Sequence, residues 1–223
     1  AIYPDGTVAI TTGGVEIGQG IHAKVQQVCA RFLGLTADDL PTFRMITNNT
    51  GYISTGNVTG GSVTSELCAL SIMHTCQELS ERLQPYRAEG KSWKQVVAAA
   101  LADNVDLTAR GSSGDPGKGS AFRYNVWGCA CAQVDVDGLT GQFELRQVDL
   151  HFDVGQSMNP DIDLNQVEGG FFYGLGAFTM EECLFDTKTG MPKTASSWEY
   201  KPVTAFEVPE TFNISLIPNS ENK

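Results

Sequence analysis

The sequence lacks the features that mark nucleic-acid-binding and membrane proteins. Its 15 lysines and arginines are outnumbered by 26 aspartates and glutamates, so the net charge is −11 and the isoelectric point is near 4.6. That sign repels phosphate backbones and anionic lipid surfaces. The longest apolar runs, around 96–102 and 171–178, fall short of the roughly 18 residues that a spanning helix needs. Nucleic-acid binding is therefore disfavoured, and no membrane span is expected.

Cysteine and histidine spacings typical of a metal site are also absent. The six cysteines include no C-x-x-C pair, and the three histidines form neither H-x-x-x-H nor H-E-x-x-H. A zinc site built from this chain alone is not expected. A chain of this length can bury a sizeable core without a disulfide framework. We therefore expect buried free thiols, a reducing compartment and a cytoplasmic location.

Length and composition are those of a globular protein. The 223 residues are 41% hydrophobic and 18% charged, enough for one large domain or two small ones. Helical patterns dominate the first half, strand patterns the second, and a soft segment at 111–120 separates them. We predict an α+β fold with two lobes of mixed sheet and packed helices, 1–114 and 115–223. The chain opens at Ala1 without Met or a targeting segment, so we expect a piece of a longer polypeptide.

Residue patterns place the helices and strands along the chain. Helix boundaries are indicated by Gly34 as a C-terminal glycine, by a Ser92–Gln95 capping box, and by Asn159 before Pro160. The predicted helices are Ile21–Leu33, Ser65–Leu83, Trp93–Ala102 and 160 to about 179. The predicted strands are Thr7–Thr12, Phe43–Thr47, Phe122–Val136, Phe143–Phe152 and Phe212–Ile217, with a hairpin turn at 137–141.

The first candidate motif is the glycine-rich stretch Gly13–Gly20, between a predicted strand and helix. Its glycines allow positive φ and a close approach of a ligand to the backbone. The helix that follows is expected to offer unpaired N–H groups to an anionic group, and Gln19 can both donate and accept hydrogen bonds. A tight turn without a ligand is the alternative.

The same stretch contains a dinucleotide-like pattern, Gly18-x-Gly20-x-x-Ala23, with Asp38 near the offset of a ribose-binding acid. In dinucleotide-binding folds that acid ends the second strand. Here Asp38 precedes the strand predicted at Phe43–Thr47. A nicotinamide-binding domain therefore stays only as an alternative.

The second candidate motif, 59–64, ends an uncharged stretch that begins at Thr47. Successive N–H groups from Gly60 to Thr64, with nearby hydroxyls, would make a neutral cradle for an anion. Simple N-capping of the next helix by Ser62 or Thr64 is the alternative. Capping explains one hydroxyl but not a long uncharged loop, so binding is favoured.

The third candidate motif is the glycine-rich helix that follows Asp153. Each glycine in a helix interior costs about 1 kcal/mol relative to alanine, so packing or a ligand must compensate. We expect close packing to explain Gly170, Gly174 and Leu175. Gln166, early in the helix, is expected to face a ligand.

Four segments, in order along the chain, resemble the molybdenum-cofactor domain of the xanthine dehydrogenase/aldehyde oxidase family. They are GGVEIGQG at 13–20, TGGSVTSE at 59–66, ERLQPY at 81–86 and DVGQSMNPDIDLNQVEGGFFYGLG at 153–176. The resemblance implies the C-terminal part of a molybdopterin-binding domain. Residue by residue, it implies that the first two motifs hold the pterin and its phosphate, that the backbone of Gly61 lies nearest the molybdenum, and that the third motif contributes one contact. The residues so implied are Ile17, Gly18, Gln19, Gly20, Thr59, Gly61, Ser62, Val63, Thr64 and Gln166.

For the intact protein, the resemblance implies a molybdenum hydroxylase that oxidises purines, other heteroaromatics or aldehydes, as in purine catabolism. It also implies 2Fe-2S and FAD groups on other parts of the polypeptide, and a homodimer. The family's catalytic base is a Glu in a G-E-P-P motif after the strand matching Phe212–Ile217, and this sequence holds no such motif. We therefore assign no catalytic residue and expect the 223 residues alone to be inactive. A cofactor-free structural or antigenic module is the alternative function.

Overall fold

The computed structural model describes residues 1–36, 39, 42–46, 48–51, 53, 58–113 and 124–218. The chain divides into two compact units, Ala1–Arg123 and Tyr124–Lys223. Each unit has its own hydrophobic core and its own small sheet. The mixture of helices and sheets confirms the predicted α+β fold class.

The first unit is built around a strand–helix–strand arrangement. Strands β1 (Val8–Ile10) and β2 (Phe43–Met45) pair in parallel, and α1 (Ile21–Leu33) connects them. Helix α2 (Thr64–Leu83) packs against α1. Helix α1 has its predicted bounds because Gly34, at φ 64°, adopts the left-handed conformation that ends a helix.

Helix α3 (Trp93–Ala102) completes the first unit. It begins at the predicted capping box, in which Ser92 and Gln95 bond each other's backbone amides. The indole N–H of Trp93 donates to the carbonyl oxygen of Gly6 at 2.8 Å and so joins α3 to the first turn of the chain. The side chains most completely buried in this core are Ile21, Val25, Leu33, Leu83 and Val97.

The second unit is a three-stranded sheet with a long helix. Strands β3 (Trp127–Val136) and β4 (Phe143–Asp153) form the predicted antiparallel hairpin, and β5 (Thr211–Leu216) pairs with β4 in parallel. Helix α4 (Pro160–Thr179) begins at the predicted cap, since the Asn159 side chain accepts from the amide of Ile162. A short helix, α5, follows at Ser197–Tyr200.

The second core is small and lies between the sheet and α4. Its buried members are Leu145, Val148 and Leu150 of β4, and partly buried side chains of α4 and β5 pack against them. Among the described residues of both units, no helix is long and apolar enough to cross a membrane.

The expectation of buried thiols is wrong for part of the chain. Cys29 and Cys76 are buried, but Cys129, Cys131 and Cys183 are exposed, and all the cysteines are free. Every residue of β3 is exposed, so neither face of this edge strand is covered by other described residues. Alternation identified the strand correctly but could not tell whether either of its faces would be covered.

Candidate functional site

Glu16 holds the Gly13–Gly20 loop in its conformation. One carboxylate oxygen accepts from the amides of Gly18 and Gly20, both at 3.0 Å, and the other accepts from the amide of His22 at 3.1 Å. Partial burial raises the pKa of Glu16, but the three amide donors outweigh it and leave the pKa below its usual value. The start of α1 therefore already has an anionic partner from the chain itself. The expectation of unpaired amides at this point is wrong.

Gln19 is also engaged within the loop. Its side-chain oxygen accepts from the amide of Ile17 at 2.7 Å, and its side-chain nitrogen donates to the carbonyl oxygen of Val15 at 2.8 Å. The Ile17 side chain is 71% exposed, and Gly18, at φ 105°, has open space where a Cβ would be. Ile17 and Gly18 thus form the exposed tip of the loop, while Gln19 and Glu16 brace it from within.

The first and second motifs meet in space although they are far apart in sequence. The amide of Val15 donates to the hydroxyl of Thr59 at 3.0 Å. Within the second motif, the amide of Gly60 donates to the hydroxyl of Thr64 at 3.2 Å. Both threonines therefore fix the backbone of the neighbouring loops, and the predicted proximity of these two motifs is present.

Gly14 explains how the two loops come so close together. A Cβ at this position would lie 2.5 Å from Cδ1 of Ile21 and 2.8 Å from Cγ2 of Thr64. Only a residue without a side chain lets the first loop pack against the starts of both α1 and α2. The Gly14 carbonyl oxygen also accepts from the side-chain nitrogen of Asn48 at 2.6 Å. Neither Gly14's steric role nor Asn48 was apparent from the sequence.

The start of α2 carries the amide donors that the first loop lacks. Gly61, at φ 66°, and Ser62, at φ 59°, are both left-handed, and Val63 returns to right-handed backbone as the N-cap without a side-chain cap. Such a change of hand turns successive N–H groups towards one side, as in anion-binding nests. In the part of the chain that the structure describes, the exposed amides of Gly61 and Ser62 have no acceptor. Capping by Ser62 or Thr64, the alternative explanation, is absent.

This donor set fits the phosphate of a pterin cofactor. A phosphate needs several hydrogen-bond donors converging on it, and a helix N-terminus adds partial positive charge. Gly60 and Gly61 leave open space beside the nest, so a ligand can approach the backbone. No grouping of three or more His, Cys, Asp or Glu side chains that would bind a metal directly occurs in the described ranges.

Gln166 lies in the second unit. It is an exposed residue of α4 that lines a groove of about 620 Å³, together with Gly128 on β3, Phe152 on β4 and Gly170 on its own helix. A glutamine at such a groove can donate and accept hydrogen bonds with a polar heterocycle. The side chain is thus accessible from the groove, and its contact with a ligand stays a prediction.

Close packing does not account for the glycines of α4 as we predicted. A Cβ at Gly170 or Gly174 would meet nothing within 4 Å, so both positions have room for a side chain within this chain. Gly176 is the more crowded position, since its Cβ would lie 3.1 Å from Cγ2 of Val203 and would displace the flexible Glu181 carboxylate. Leu175 does pack against the second core. Gly170 has another explanation: it lines the same groove as Gln166, and the missing side chain leaves that groove open.

Four sequence-based features fall partly outside the described residues. They are the dinucleotide-like pattern at Asp38, the uncharged stretch at 47, 52 and 54–57, the soft segment at 114–120, and the start of the strand predicted from Phe122. Asp39, next to Asp38, accepts hydrogen bonds from the amide and hydroxyl of Thr36 and precedes β2 rather than ending it. The observed order agrees with the objection to a nicotinamide site.

Comparison with known proteins identifies the domain. The family described as the molybdopterin cofactor-binding domain matches residues 1–209. Aldehyde oxidase 1 of Macaca fascicularis is 37% identical over 231 residues, which cover 99% of this chain and 17% of that protein. Xanthine dehydrogenase of Emericella nidulans is 36% identical over 230 residues, which cover 99% of this chain and 17% of that protein. This chain is thus a cofactor-binding domain, and it spans about a sixth of the length of these relatives.

A solved structure supports the same fold. Quinoline 2-oxidoreductase from Pseudomonas putida 86 superposes with a TM-score of 0.76 at 21% identity, over 97% of this chain and 30% of that one. The chain belongs to the xanthine dehydrogenase/aldehyde oxidase family, as a molybdopterin-binding domain.

The geometry around Glu16 predicts how stability depends on pH. The folded-state pKa of Glu16 is depressed, so its contribution is present above the ordinary carboxyl value of 4.5 and is lost as the pH falls through the folded-state pKa. We expect Glu16→Gln to lower the free energy of unfolding by about 0.3–1 kcal/mol at neutral pH, since it removes a charge at a helix N-terminus. In urea titrations, that difference should vanish in acid. An equal difference at neutral and acid pH would contradict this role of the charge.

Proposed function

We propose that this domain works within a molybdenum hydroxylase that oxidises purines, heteroaromatics or aldehydes. The observation that carries the proposal is the pair of amides at Gly61 and Ser62, which lie at a helix start and have no acceptor among the described residues. The same motif is joined to the first glycine-rich loop by the hydrogen bond from the amide of Val15 to the hydroxyl of Thr59. When bound, the cofactor supplies the redox chemistry. This chain binds and orients it.

Within this proposal the two loops have different tasks. The amides at 61–62, beside the start of α2, hold the anionic phosphate, because among the described residues they have no acceptor. The loop at 13–20 contributes shape, since Glu16 and Gln19 already use its amides and its tip exposes Ile17 and Gly18. A rigid tip of this kind positions a flat ring without competing for its hydrogen bonds. Gln166 supplies a side-chain contact to the cofactor.

The rest of the machinery is proposed to lie elsewhere in a larger protein. We propose that 2Fe-2S and FAD groups, the substrate pocket and a glutamate base are supplied by other regions, and that the complete protein is a cytoplasmic homodimer. The relatives support a larger protein, because the matched segment is 17% of their length. We propose that the glutamate base is not among these 223 residues, because the sequence holds no G-E-P-P motif.

The proposal is tested on two proteins in parallel. The full-length product of the gene that encodes this chain should contain molybdenum and pterin in a one-to-one ratio with polypeptide and should oxidise a purine or an aldehyde. The 223-residue chain should show no turnover with the same substrates. Metal analysis, pterin fluorescence after acid release and product absorbance are the measurements. Turnover by the isolated chain would contradict the division of labour.

A cofactor-free structural module is the competing function, and the same experiment separates the two. A full-length protein with native circular dichroism but neither molybdenum nor pterin would favour the inert module and reject our proposal. A full-length protein that holds the cofactor but oxidises no purine, other heteroaromatic or aldehyde would retain the binding role and would reject the proposed substrates.

A further inference from the structure

Two buried cysteines face each other across the interface between α1 and α2. The sulfur atoms of Cys29 and Cys76 are 3.3 Å apart, and the residues are only 2% and 3% exposed. Neither belongs to the loops or the groove described above. Both are free thiols in the structure.

We propose that Cys29 and Cys76 are an oxidation site at which a hydroperoxide converts two thiols into one disulfide. The bond would join α1 covalently to α2. The inference is independent of the proposed function, because it rests on the sulfur geometry alone.

The geometry allows the bond with little movement. A disulfide has an S–S distance of about 2.05 Å, so the sulfurs must approach by about 1.3 Å. Both cysteines sit within helices that already pack together, so the two sulfurs are already held close to each other. The N-terminal ammonium group of Ala1 is a charged group that interacts with both sulfurs, and its positive charge favours their thiolate forms.

The reaction balances with hydrogen peroxide as the oxidant. The Cys76 sulfur attacks one peroxide oxygen, an S–O bond forms, the O–O bond breaks and water leaves. The Cys29 sulfur then attacks the oxidised sulfur, the S–S bond forms and a second water leaves. Two thiols and one peroxide thus give one disulfide and two waters.

The surroundings favour this order of events. Contact with Cys29 lowers the pKa of Cys76 despite its burial. The same contact, together with burial, raises the pKa of Cys29. The thiolate is the reactive form, so Cys76 is the attacking sulfur and Cys29 the resolving one.

The position of the bond gives it a structural consequence. Helix α1 begins directly after the Gly13–Gly20 loop, and α2 begins directly after 59–63. A bond between the helices would therefore fix the distance between the segments that carry the two loops. Oxidation would tighten this part of the fold rather than open it.

The test is peroxide treatment of the folded 223-residue chain, followed by alkylation and peptide mapping without reductant. Cys129, Cys131 and Cys183 are exposed, so they are replaced by serine before the treatment. In that chain we expect the free-thiol count to fall by two, the mass to fall by two hydrogens, and the cross-linked peptide pair to contain Cys29 and Cys76. A reductant should restore all the thiols. An unchanged thiol count in the folded chain, a cross-link between other cysteines, or sulfinic acid without a cross-link would overturn the proposal.

Matched variants identify the pair. Cys76→Ser should abolish the cross-link, and Cys68→Ser, on the same helix but outside the sulfur contact, should retain it in full. Should Cys76→Ser lose its circular dichroism signal, Cys29→Ala serves in its place and must also abolish the cross-link. Loss of the cross-link in Cys68→Ser would contradict the assignment, and the peptide map of the parent chain, with only the exposed cysteines replaced, decides the question without these variants.

Discussion

Gly61→Ala should deprive the full-length protein of its molybdopterin while leaving the fold in place, and Gly90→Ala should leave both unchanged. Gly61 and Gly90 are left-handed, at φ 66° and 80°, and a Cβ at either would meet nothing within 4 Å. The backbone strain of an alanine, about 1–2 kcal/mol, is therefore similar at the two positions. Only at Gly61 would the methyl group project beside the acceptor-free amides and obstruct a ligand.

The measurement is the content of pterin and molybdenum per polypeptide, with thermal unfolding recorded for both variants. We expect at least about a tenfold fall in cofactor content for Gly61→Ala, equivalent to about 1.4 kcal/mol of binding free energy, with closely similar melting temperatures for the pair. Equal cofactor content in the two variants would remove Gly61 from the binding surface. It would also weaken the case for a phosphate site at the start of α2.

Gly14→Ala should destabilise the first unit, whereas Gly60→Ala should not. The new methyl carbon at position 14 would lie 2.5 Å and 2.8 Å from carbons of Ile21 and Thr64, distances that force one loop away from α1 or α2. Overpacking of this kind costs about 1–3 kcal/mol. At Gly60 the same methyl meets nothing within 4 Å, so the expected change stays within about 0.5 kcal/mol.

Urea unfolding followed by circular dichroism measures the difference in the free energy of unfolding. In a thermal scan, each kcal/mol should lower the melting temperature by about 2–4 °C in a protein of this size. Because Gly14 joins the two loops, its variant should also lose the hydrogen bond between Val15 and Thr59. Faster amide exchange at Val15 would report that loss. Equal stability of the two alanine variants would show that the loops can separate without cost.

Helix boundaries could be read from the sequence where a local signal fixes them. Helices α1 and α3 have the predicted bounds because a left-handed Gly34 and the Ser92 capping box act over a few residues. The predicted ends of the strands agree less well with the structure. A strand continues only as far as its partner does, so β1 is limited to Val8–Ile10 by its pairing with β2, and partner lengths are not a local property of the sequence.

The candidate site was only partly predictable for a related reason. Glycine-rich composition correctly indicated unusual backbone at Gly18 and Gly61. Which amides would stay without an acceptor could not be read from composition, because it depends on where Glu16 folds back. Glu16 itself, an acid among the glycines, was the available signal that some amides would be taken, since carboxylates readily accept hydrogen bonds from amides at helix starts. The carry-over of cofactor residues from the family remains a prediction that the variants above test.

The hydrogen bond between Trp93 and Gly6 gives the protein a built-in optical reporter. Of the three tryptophans in the sequence, Trp93 alone falls in the first unit, where its indole is partly buried and donates to a backbone carbonyl. Trp127 and Trp198 belong to the second unit and are 64% and 84% exposed. Trp93 is therefore less accessible to water-soluble quenchers than the other two tryptophans. Quenching by acrylamide can follow the melting of the first unit separately, without any attached dye.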